Sequence, residues 1–331
     1  MALIVAGCSS SGRLKVGLAY AVGGPGDHGF NDSALAGLNR AQSHLDGKIS
    51  SVRALSARPN ETEQDQFNRL SLLCKAGYDP VIAVGFTYAG ADPSNGPLAR
   101  AAKECPDTHF AIVDDDSVHA PNVANLVFAD EQGSYLMGIV AATKATSNVI
   151  GFVGACPAPV IDRFLAGYQA GARSIKPDIA IKKAYLSSDP RKCDFTDVDA
   201  ARTAAAGLYA EHADVVYQAA GGAGLGVFEA AKAAGKYAIG ADEDQYQNID
   251  PSLRPTVLTS MVKHVDVAVD DFITSVSGGL FKPGVHRYDL SDEGESYATS
   301  GNAISQLTPQ LDAAEKKIIS GAIVVPTAPT S

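Results

Sequence analysis

The sequence predicts an α/β protein of two doubly wound parallel-sheet lobes joined by a multi-crossover hinge. From Leu14 onwards, short β-branched runs alternate with longer helical patterns, which is typical of parallel sheets whose strands are connected by helices. A second series of this kind begins at Val149. A strand followed by a helix, and then a helix followed by a strand, remain after both series, so we expect the chain to return to both lobes. The alternative is one large doubly wound enzyme domain with a cap.

The first series is expected to form most of the N-terminal lobe. Its strands are predicted where β-branched and other apolar residues cluster, at residues 14–20, 49–55, 80–84, 110–113 and 123–128. Its helices are predicted from apolar residues at helical spacing, at about 32–45, 61–75, 97–104 and 133–144.

The second series is expected to form most of the C-terminal lobe. Its strands are predicted at 149–153, 179–186, 214–218 and 237–240, and its helices near 160–174, 198–210 and 225–234. The remaining residues predict a strand at 257–262, a helix at 266–276 that Gly278 and Gly279 end, short strands at 287–290 and 296–299, a helix near 309–319 and a last apolar strand at 322–325. We assign residues 14–145 and about 256–282 to the N-terminal lobe, residues 146–255 and about 283–326 to the C-terminal lobe, and residues 1–13 to a signal remnant and tether.

The composition limits the possible functions. A chain of 331 residues is long for one hydrophobic core and suggests about two domains. No apolar run reaches the ~18 residues that a membrane-spanning helix needs. The net charge is −10, with acidic and basic residues interspersed, so the surface repels phosphate backbones and we expect no nucleic-acid binding.

The first residues predict a lipid anchor. Residues 3–7 form a short apolar run that leads to Cys8, and a polar tether of serines and glycine follows. This is the layout of a bacterial lipoprotein signal, in which the cysteine is acylated and the upstream residues are removed. Signal peptides normally have about 15–30 residues with a basic leader; that leader is missing, so either the sequence is truncated or its start was assigned late. The alternative is an ordinary N-terminal strand with a buried cysteine.

The other four cysteines permit two disulfides. They are Cys74, Cys105, Cys156 and Cys193. Four cysteines in an exported protein allow three connectivities, of which sequence proximity and the lobe assignment favour Cys74–Cys105 and Cys156–Cys193. Four buried free thiols are the alternative. No CxxC spacing is present, so we expect no zinc site.

Ligand chemistry is expected at the carboxyl ends of the strands, where open parallel sheets bind ligands. After the first strand comes a glycine-rich loop that is not a GxGxxG motif. In this loop Asp27 and Asn31 offer acceptors and donors to a neutral ligand, and Phe30 offers an aromatic face for a planar ring. The alternative is that Asn31 or Asp32 caps the next helix while Phe30 packs into the core.

Three charged residues follow other predicted strands. Asp114 directly continues the strand at 110–113, so we expect it at the crevice rather than in a solvated turn. Asp242 and Lys263 end two neighbouring strands, where the carboxylate would accept and the ammonium would donate hydrogen bonds to vicinal hydroxyls. The alternative for Asp242 and Lys263 is a surface salt bridge, which is worth less than ~1 kcal/mol.

Two segments of the second half complete the candidate site. Phe195 precedes a helix that Thr196 or Asp197 caps, which leaves the phenyl ring exposed. Gly221 and Gly222 lie in a glycine run after a strand, where the backbone can approach a ligand closely. The run lacks the GK[ST] that a phosphate-binding loop requires, so its similarity to such a loop is weak.

The sequence favours binding over catalysis. The seven histidines form no HExxH motif, and Ser260 has no GxSxG motif around it. We find no nucleophile with a base, no pair of general acids and bases and no metal-ligand set. We therefore expect a protein that is not an enzyme and that needs no cofactor.

Seven motifs together carry a family resemblance. They are GDHGFNDSALAG from residue 26, FAIVDD from 110, EQGSYLMGIVAA from 131, GFVGACPAPVIDRFLAGYQAGA from 151, DVVYQAAGGAGLGVFEAA from 214, YAIGADEDQ from 237 and VLTSMVKHVDVAV from 257. The chain resembles the basic membrane protein family of substrate-binding lipoproteins, the nucleoside-binding group of ABC importers. The resemblance covers nearly the whole body of the chain.

The resemblance implies a type 1 periplasmic-binding-protein fold that closes on a purine nucleoside (guanosine, adenosine or inosine). It implies that Phe30 and Phe195 sandwich the base, one from each lobe, and that Asp27 and Asn31 hydrogen-bond its edge. The groups that would hold the ribose hydroxyls are Asp114, Asp242, Lys263 and the backbone at Gly221 and Gly222. Phe86 is a further candidate for the pocket wall.

The expected function is capture of the nucleoside without chemistry. The expected partners are the permease and ATPase subunits of an ABC importer. We expect a monomer that is lipid-anchored to the extracytoplasmic face of the cell membrane. Three alternatives stay open: a nucleoside-sensing regulatory protein, a sugar-binding protein of the same fold, and a nucleoside hydrolase or phosphorylase.

Overall fold

The computed structural model describes residues 13–58, 60–190 and 193–330. Cys8, the expected site of lipidation, lies outside these residues. The strands are β1 (Leu14–Ala19), β2 (Ile49–Leu55), β3 (Val81–Ala83), β4 (Phe110–Val113), β5 (Val123–Phe128), β6 (Val149–Gly154), β7 (Ala180–Tyr185), β8 (Val215–Ala219), β9 (Tyr237–Gly240), β10 (Val257–Lys263), β11 (Gly284–Tyr288) and β12 (Glu295–Tyr297).

The α-helices follow most strands, as the alternating pattern predicts. They are α1 (Phe30–His44), α2 (Glu63–Lys75), α3 (Pro97–Glu104), α4 (Asp130–Lys144), α5 (Pro159–Ile175), α6 (Val198–Ala210), α7 (Leu225–Ala234), α8 (Gln245–Asn248), α9 (Val265–Ser277) and α10 (Thr308–Ile319). The apolar run at 322–325 forms no strand, contrary to expectation.

The strands form two six-stranded sheets, one in each lobe. The first has the order β11-β5-β4-β3-β1-β2, and all its neighbours are parallel. The second has the order β12-β10-β9-β8-β6-β7 and is parallel except for the β10–β12 pair. The predicted fold of two doubly wound lobes is therefore confirmed.

Helices cover both faces of each sheet. In the first lobe, α1 and α9 pack on one face, and α2 and α3 pack on the other. In the second lobe, α4, α5 and α10 cover one face, and α6 and α7 cover the other. Each sheet is thus buried between two helical layers, which leaves the strand ends as the place for a ligand.

Within the described residues, the chain crosses between the lobes after β5, after β10 and after β11. The expected lobe boundaries are wrong at these points. Strand β10 belongs to the second sheet, β11 belongs to the first, and α4 packs with the second lobe. The pattern could not assign them, because both sheets need apolar strands and both lobes need apolar helices.

Glycines fix the position of α4. A Cβ atom added at Gly167 of α5 would lie 2.0 Å from the carbonyl oxygen of Glu131, and one at Gly138 of α4 would lie 2.2 Å from that of Tyr168. The two helix backbones therefore approach so closely that only glycine fits at these positions. This contact holds α4 against the second lobe, whereas the sequence pattern predicts it in the first lobe.

The structure contains both of the favoured disulfides. Cys74 and Cys105 have a Cα–Cα distance of 6.3 Å, and Cys156 and Cys193 have one of 5.1 Å. Both distances fall within the usual range of about 4.4–6.8 Å. Among the described helices, none combines the length and the hydropathy that crossing a membrane requires.

Candidate functional site

A cleft between the lobes collects the carboxyl ends of strands from both sheets. It encloses about 710 Å³ of empty space, part of which is open to solvent. The expected site residues that line it are Asp27, Phe30, Asn31, Phe86, Asp114, Phe195, Gly221, Asp242 and Lys263. Gly222 is not among the lining residues: a Cβ atom there would lie 3.4 Å from the carbonyl oxygen of Phe195 and 3.8 Å from Cβ of Asp27.

The carboxylate of Asp27 caps α1. It accepts hydrogen bonds from the backbone N–H groups of Gly29, Asn31 and Asp32, at 3.0–3.2 Å, and from Nδ2 of Asn31 at 2.8 Å. Burial raises the pKa of Asp27, and these hydrogen bonds oppose the rise. The expectation that Asn31 or Asp32 caps this helix is therefore wrong, because the cap comes from a residue just before the helix.

Asn31 and Asp32 instead hold the loop that precedes α1. Oδ1 of Asn31 accepts a hydrogen bond from the backbone of Ala21 at 3.1 Å. The carboxylate of Asp32 accepts from the backbones of Gly26 and His28, at 2.7 and 3.0 Å. The loop is thus fixed by its own side chains, and Asp27 and Asn31 are held against each other at the cleft wall.

Lys263 lies at the centre of the site with its side chain 1% exposed. Its Nζ donates to both carboxylate oxygens of Asp114, at 2.9 and 2.8 Å, and lies 2.7 Å from Oδ1 of Asp130. Burial alone would lower the pKa of Lys263, but Asp114, Asp130 and Asp242 raise it above its ordinary value. The ammonium is therefore charged. Because it is buried, the alternative of a surface salt bridge is wrong.

Three aromatic rings surround the same ammonium. The centroids of Phe128 and Phe164 lie 5.2 Å from Nζ of Lys263, and that of Phe30 lies 5.6 Å away. A desolvated cation at this distance from a ring face gains cation–π stabilisation. Phe30 and Phe164 also line the cleft, so the rings that enclose the lysine form part of its wall.

The three chain crossovers bring buried charges together at Lys263. Asp130 begins the helix after the first crossover, Lys263 precedes the second, and Glu295 follows the third. In the β10–β12 pair, Lys263 lies opposite Glu295. Burial raises the pKa of Asp130 to about 7 and also raises the pKa of Glu295. The hinge therefore contains acids that are easily protonated beside a fixed positive charge.

Asp242 differs from its neighbours because it has no internal hydrogen-bond donor. Within the described part of the chain, no group donates a hydrogen bond to its carboxylate. Burial raises its pKa to about 6, while Lys263 lowers it and Asp114 raises it. Asp242 and Asp114 both have left-handed backbones, with φ of 70° and 67°. Such φ values are uncommon for residues other than glycine and are often found at functional sites.

Aromatic walls from both lobes face the rest of the cleft. Phe30 packs against the core of the first lobe, and Phe195 packs against that of the second. Phe86 contacts Phe195 edge to face, with ring centroids 6.3 Å apart and an interplanar angle of 77°. Gly221 has a φ of 56°, and a Cβ atom there would lie 3.1 Å from Cβ of Phe195. Glycine at this position therefore makes room for the phenyl ring.

Several residues of the site carry no distinct signal in the sequence. Val160, Ile161 and Phe164 of α5 line the cleft, but their spacing matches an ordinary amphipathic helix. Asp130 was missed because an acidic residue in the first turn of a helix is common. Within the described ranges, no group of histidine, cysteine, aspartate and glutamate side chains could hold a metal ion.

Comparisons with known proteins cover nearly the whole chain. The family model for Bmp, described as ABC transporter substrate-binding protein PnrA-like, matches residues 15–328. The nucleoside-binding ABC transporter protein BmpA of Lactococcus lactis is 32% identical over 98% of this chain and 95% of its own length. Basic membrane protein A of Borreliella burgdorferi is 32% identical over 91% of this chain and 84% of its own length.

Solved structures show the same architecture. An ABC transporter solute-binding protein from Aeropyrum pernix K1 superposes with a TM-score of 0.78 and 25% sequence identity, over 95% of this chain and 94% of its own. A sugar ABC transport substrate-binding protein from Bordetella parapertussis has a TM-score of 0.63 at 14% identity, over 88% of this chain and 90% of its own. The second match supports the fold alone.

Proposed function

This chain belongs to the Bmp family of PnrA-like ABC transporter substrate-binding proteins, and on that premise we propose that it captures a purine nucleoside for an ABC importer. The observation that carries the proposal is the pairing of aromatic walls from both lobes with the Asp242 carboxylate, to which no residue that the structure describes donates a hydrogen bond. A nucleoside has one planar apolar part and one hydroxyl-rich part, which matches this division of the cleft.

The base would lie between Phe30 and Phe195. Stacking of a base on an aromatic side chain contributes about 1–3 kcal/mol in single-stranded nucleic-acid binding. Asn31 lines the same part of the cleft, and its Nδ2 donates a hydrogen bond to Asp27. Recognition of the base edge would therefore involve exchange of this internal hydrogen bond for hydrogen bonds to the base.

The ribose would lie against Asp242 and Lys263. A free carboxylate accepts hydrogen bonds from two vicinal hydroxyls, and the neighbouring ammonium of Lys263 favours the charged form of that carboxylate. The backbone of Gly221, which lines the cleft beside Phe195, would add contacts to the ribose, with Gly222 directly behind it in the chain. Closure about the three crossovers would then bury the ligand, and the closed form would dock on the permease and ATPase assembly.

We further propose that acylation of Cys8 tethers the protein to the extracytoplasmic face of the cell membrane. The support is the lipoprotein-like sequence around Cys8 and the membership of a family of ABC substrate-binding proteins. Detergent phase partitioning of the protein made in its bacterial host tests this step. The wild type is expected in the detergent phase and the Cys8→Ala variant in the aqueous phase; an unchanged distribution would contradict the anchor.

Isothermal titration with guanosine, adenosine, inosine and cytidine tests the ligand class. We expect saturable binding of at least one purine nucleoside and weaker binding of cytidine. Absence of heat with every nucleoside would overturn the proposal. Incubation with inosine and assay for free hypoxanthine tests whether the protein is instead a hydrolase or phosphorylase, and we expect none to form.

The Asp242→Ala variant tests the ribose half of the site. A hydrogen bond to a charged group contributes roughly 1.5–3 kcal/mol, so nucleoside affinity should fall about 10- to 150-fold. Asp116→Ala is the matched control, because Asp116 is an exposed acid that does not line the cleft. Unchanged affinity in Asp242→Ala would place the ligand in a different pocket.

A further inference from the structure

We propose that the Cys156–Cys193 disulfide positions the base-binding wall of the cleft, so that it controls both nucleoside affinity and the preference for purines. This inference rests on the proposed function. It concerns a covalent bond of this chain that lies beside the ligand-binding cleft and joins two of its structural elements.

The two cysteines connect the core to the cleft wall. Cys156 follows the end of β6 and is fully buried in the core of the second lobe. Cys193 lines the cleft and lies two residues before Phe195. Their Cα atoms are 5.1 Å apart. The bond therefore ties the chain just before Phe195 to the end of an inner strand of the second sheet.

This segment needs a restraint because of its place in the sheet. It follows β7, which is the edge strand of the second sheet, and precedes α6. The connection spans residues 186–197, which is long for a strand-to-helix loop in an α/β protein. Besides the disulfide, the backbone of Phe195 is held by a hydrogen bond from the N–H of Ala223 to its carbonyl oxygen, at 2.8 Å.

The restraint acts on the ring that would contact the base. Phe195 contacts Gly221 on one side and Phe86 on another, and all three residues line the cleft. Loss of the covalent bond at Cys193 leaves the ring with noncovalent packing against these residues and the core of the second lobe. Ordering it would then cost free energy at each binding event, because a wall that is not preorganised must be fixed by the ligand.

The chain also contains a matched control. Cys74 and Cys105 join α2 to the residue after α3, and neither cysteine lines the cleft. Cys105 and Cys193 are both half-buried, so Cys105→Ser and Cys193→Ser each break one disulfide from its more accessible side. Cys156→Ala breaks the cleft disulfide from its buried side and leaves Cys193 in the wall.

The experiment measures the dissociation constants of inosine, 2′-deoxyinosine and cytidine by titration calorimetry. We expect Cys193→Ser and Cys156→Ala each to weaken inosine binding about tenfold. Each should also reduce the ratio of the cytidine dissociation constant to the inosine dissociation constant. Cys105→Ser should bind within about twofold of the wild type. The ratio of inosine to 2′-deoxyinosine affinity should change less than the inosine affinity itself, because Asp242 and Lys263, which would hold the ribose, lie outside the segment that carries Phe195.

The Phe195→Ala variant tests whether the disulfide acts through this ring. In the Phe195→Ala background, Cys193→Ser should change inosine affinity less than about twofold, because the ring it positions is gone. An undiminished tenfold effect in that background would overturn the inference. So would a loss in Cys193→Ser without a loss in Cys156→Ala, since that would indicate direct contact of the Cys193 sulfur with the ligand.

Folding and ligand class are tested separately. Circular dichroism of each variant shows whether it is folded. If Cys193→Ser does not fold, the Cys105→Ser protein is titrated before and after reduction with a dithiol, which breaks the Cys156–Cys193 bond alone. Equal affinity in both states would overturn the inference. Failure of the wild type to bind any nucleoside would overturn the proposed function instead.

Discussion

Replacement of Lys263 by methionine tests the electrostatics of the hinge. Methionine keeps most of the apolar stem and removes the ammonium that pairs with Asp114 and Asp130. Both carboxylates are buried, at 7% and 1% side-chain exposure. Removal of one partner of a buried ion pair costs about 3–5 kcal/mol, since the remaining charge is left unpaired in a poorly solvated site.

The loss should depend on pH, in a direction that the site determines. Burial already raises the pKa of Asp130 to about 7, and loss of the ammonium raises it further. The native variant then holds more protons than its unfolded chain from about pH 4 to above pH 7, so its stability falls as the pH rises through this range. We therefore expect a larger loss of stability at pH 8, up to about 3–5 kcal/mol, than at pH 5, where Asp130 is neutral.

Urea unfolding followed by circular dichroism at both pH values measures this difference. Lys75→Met is the control, because Lys75 pairs with Glu104 at the surface and is 60% exposed. It should cost less than ~1 kcal/mol at either pH. The reasoning fails if Lys263→Met loses no more stability than this control at pH 8, or if its loss is equal at pH 5 and pH 8.

Two further predictions concern stability. Gly167→Ala should lower the free energy of unfolding by about 1–3 kcal/mol, because the new Cβ atom would meet the carbonyl oxygen of Glu131. Gly207→Ala, which has open space around it, should raise the free energy of unfolding by up to ~1 kcal/mol. Equal urea midpoints for the two variants would refute this prediction. Asp214 is paired with Lys236, and although burial raises its pKa, that pair and backbone N–H groups lower it overall. Asp214→Asn should therefore lose about 1–3 kcal/mol at pH 7, and this loss should shrink as the pH falls below about 4, where the unfolded wild-type chain takes up the proton that the native pair resists. A loss that stays constant as the pH falls from 7 to about 2 would contradict the assignment.

The strand ends could be predicted from the sequence because their pattern is local. Asp114 continues a fully apolar strand, and Asp242 and Lys263 end two others, so the rule for open parallel sheets places each of them at the carboxyl edge of its sheet, where a ligand binds. The structure confirms that these residues line the cleft. The resemblance of the motifs to a known family added the pairing of Phe30 with Phe195, which no spacing rule predicts.

The lobe assignment and the helix cap could not be obtained in the same way. Strands β10 and β11 are each compatible with either sheet, and the choice depends on tertiary pairing with β9 and β5. The cap at α1 depends on loop geometry: Asp27 reaches the first N–H groups only because the loop turns back over the helix. Asp130 acquires its role from Lys263, which lies more than a hundred positions later in the chain.

The order in which the chain is synthesised has a consequence for how it folds. Helix α9, which covers α1 in the first lobe, is made only after five strands of the second lobe have been made. Until residues 265–277 leave the ribosome, the apolar side of α1 at Ala34 and Leu38 lacks its cover. Neither lobe can therefore complete its folding independently during translation. A nascent chain that stalls before α9 exposes apolar surface that chaperones and proteases recognise.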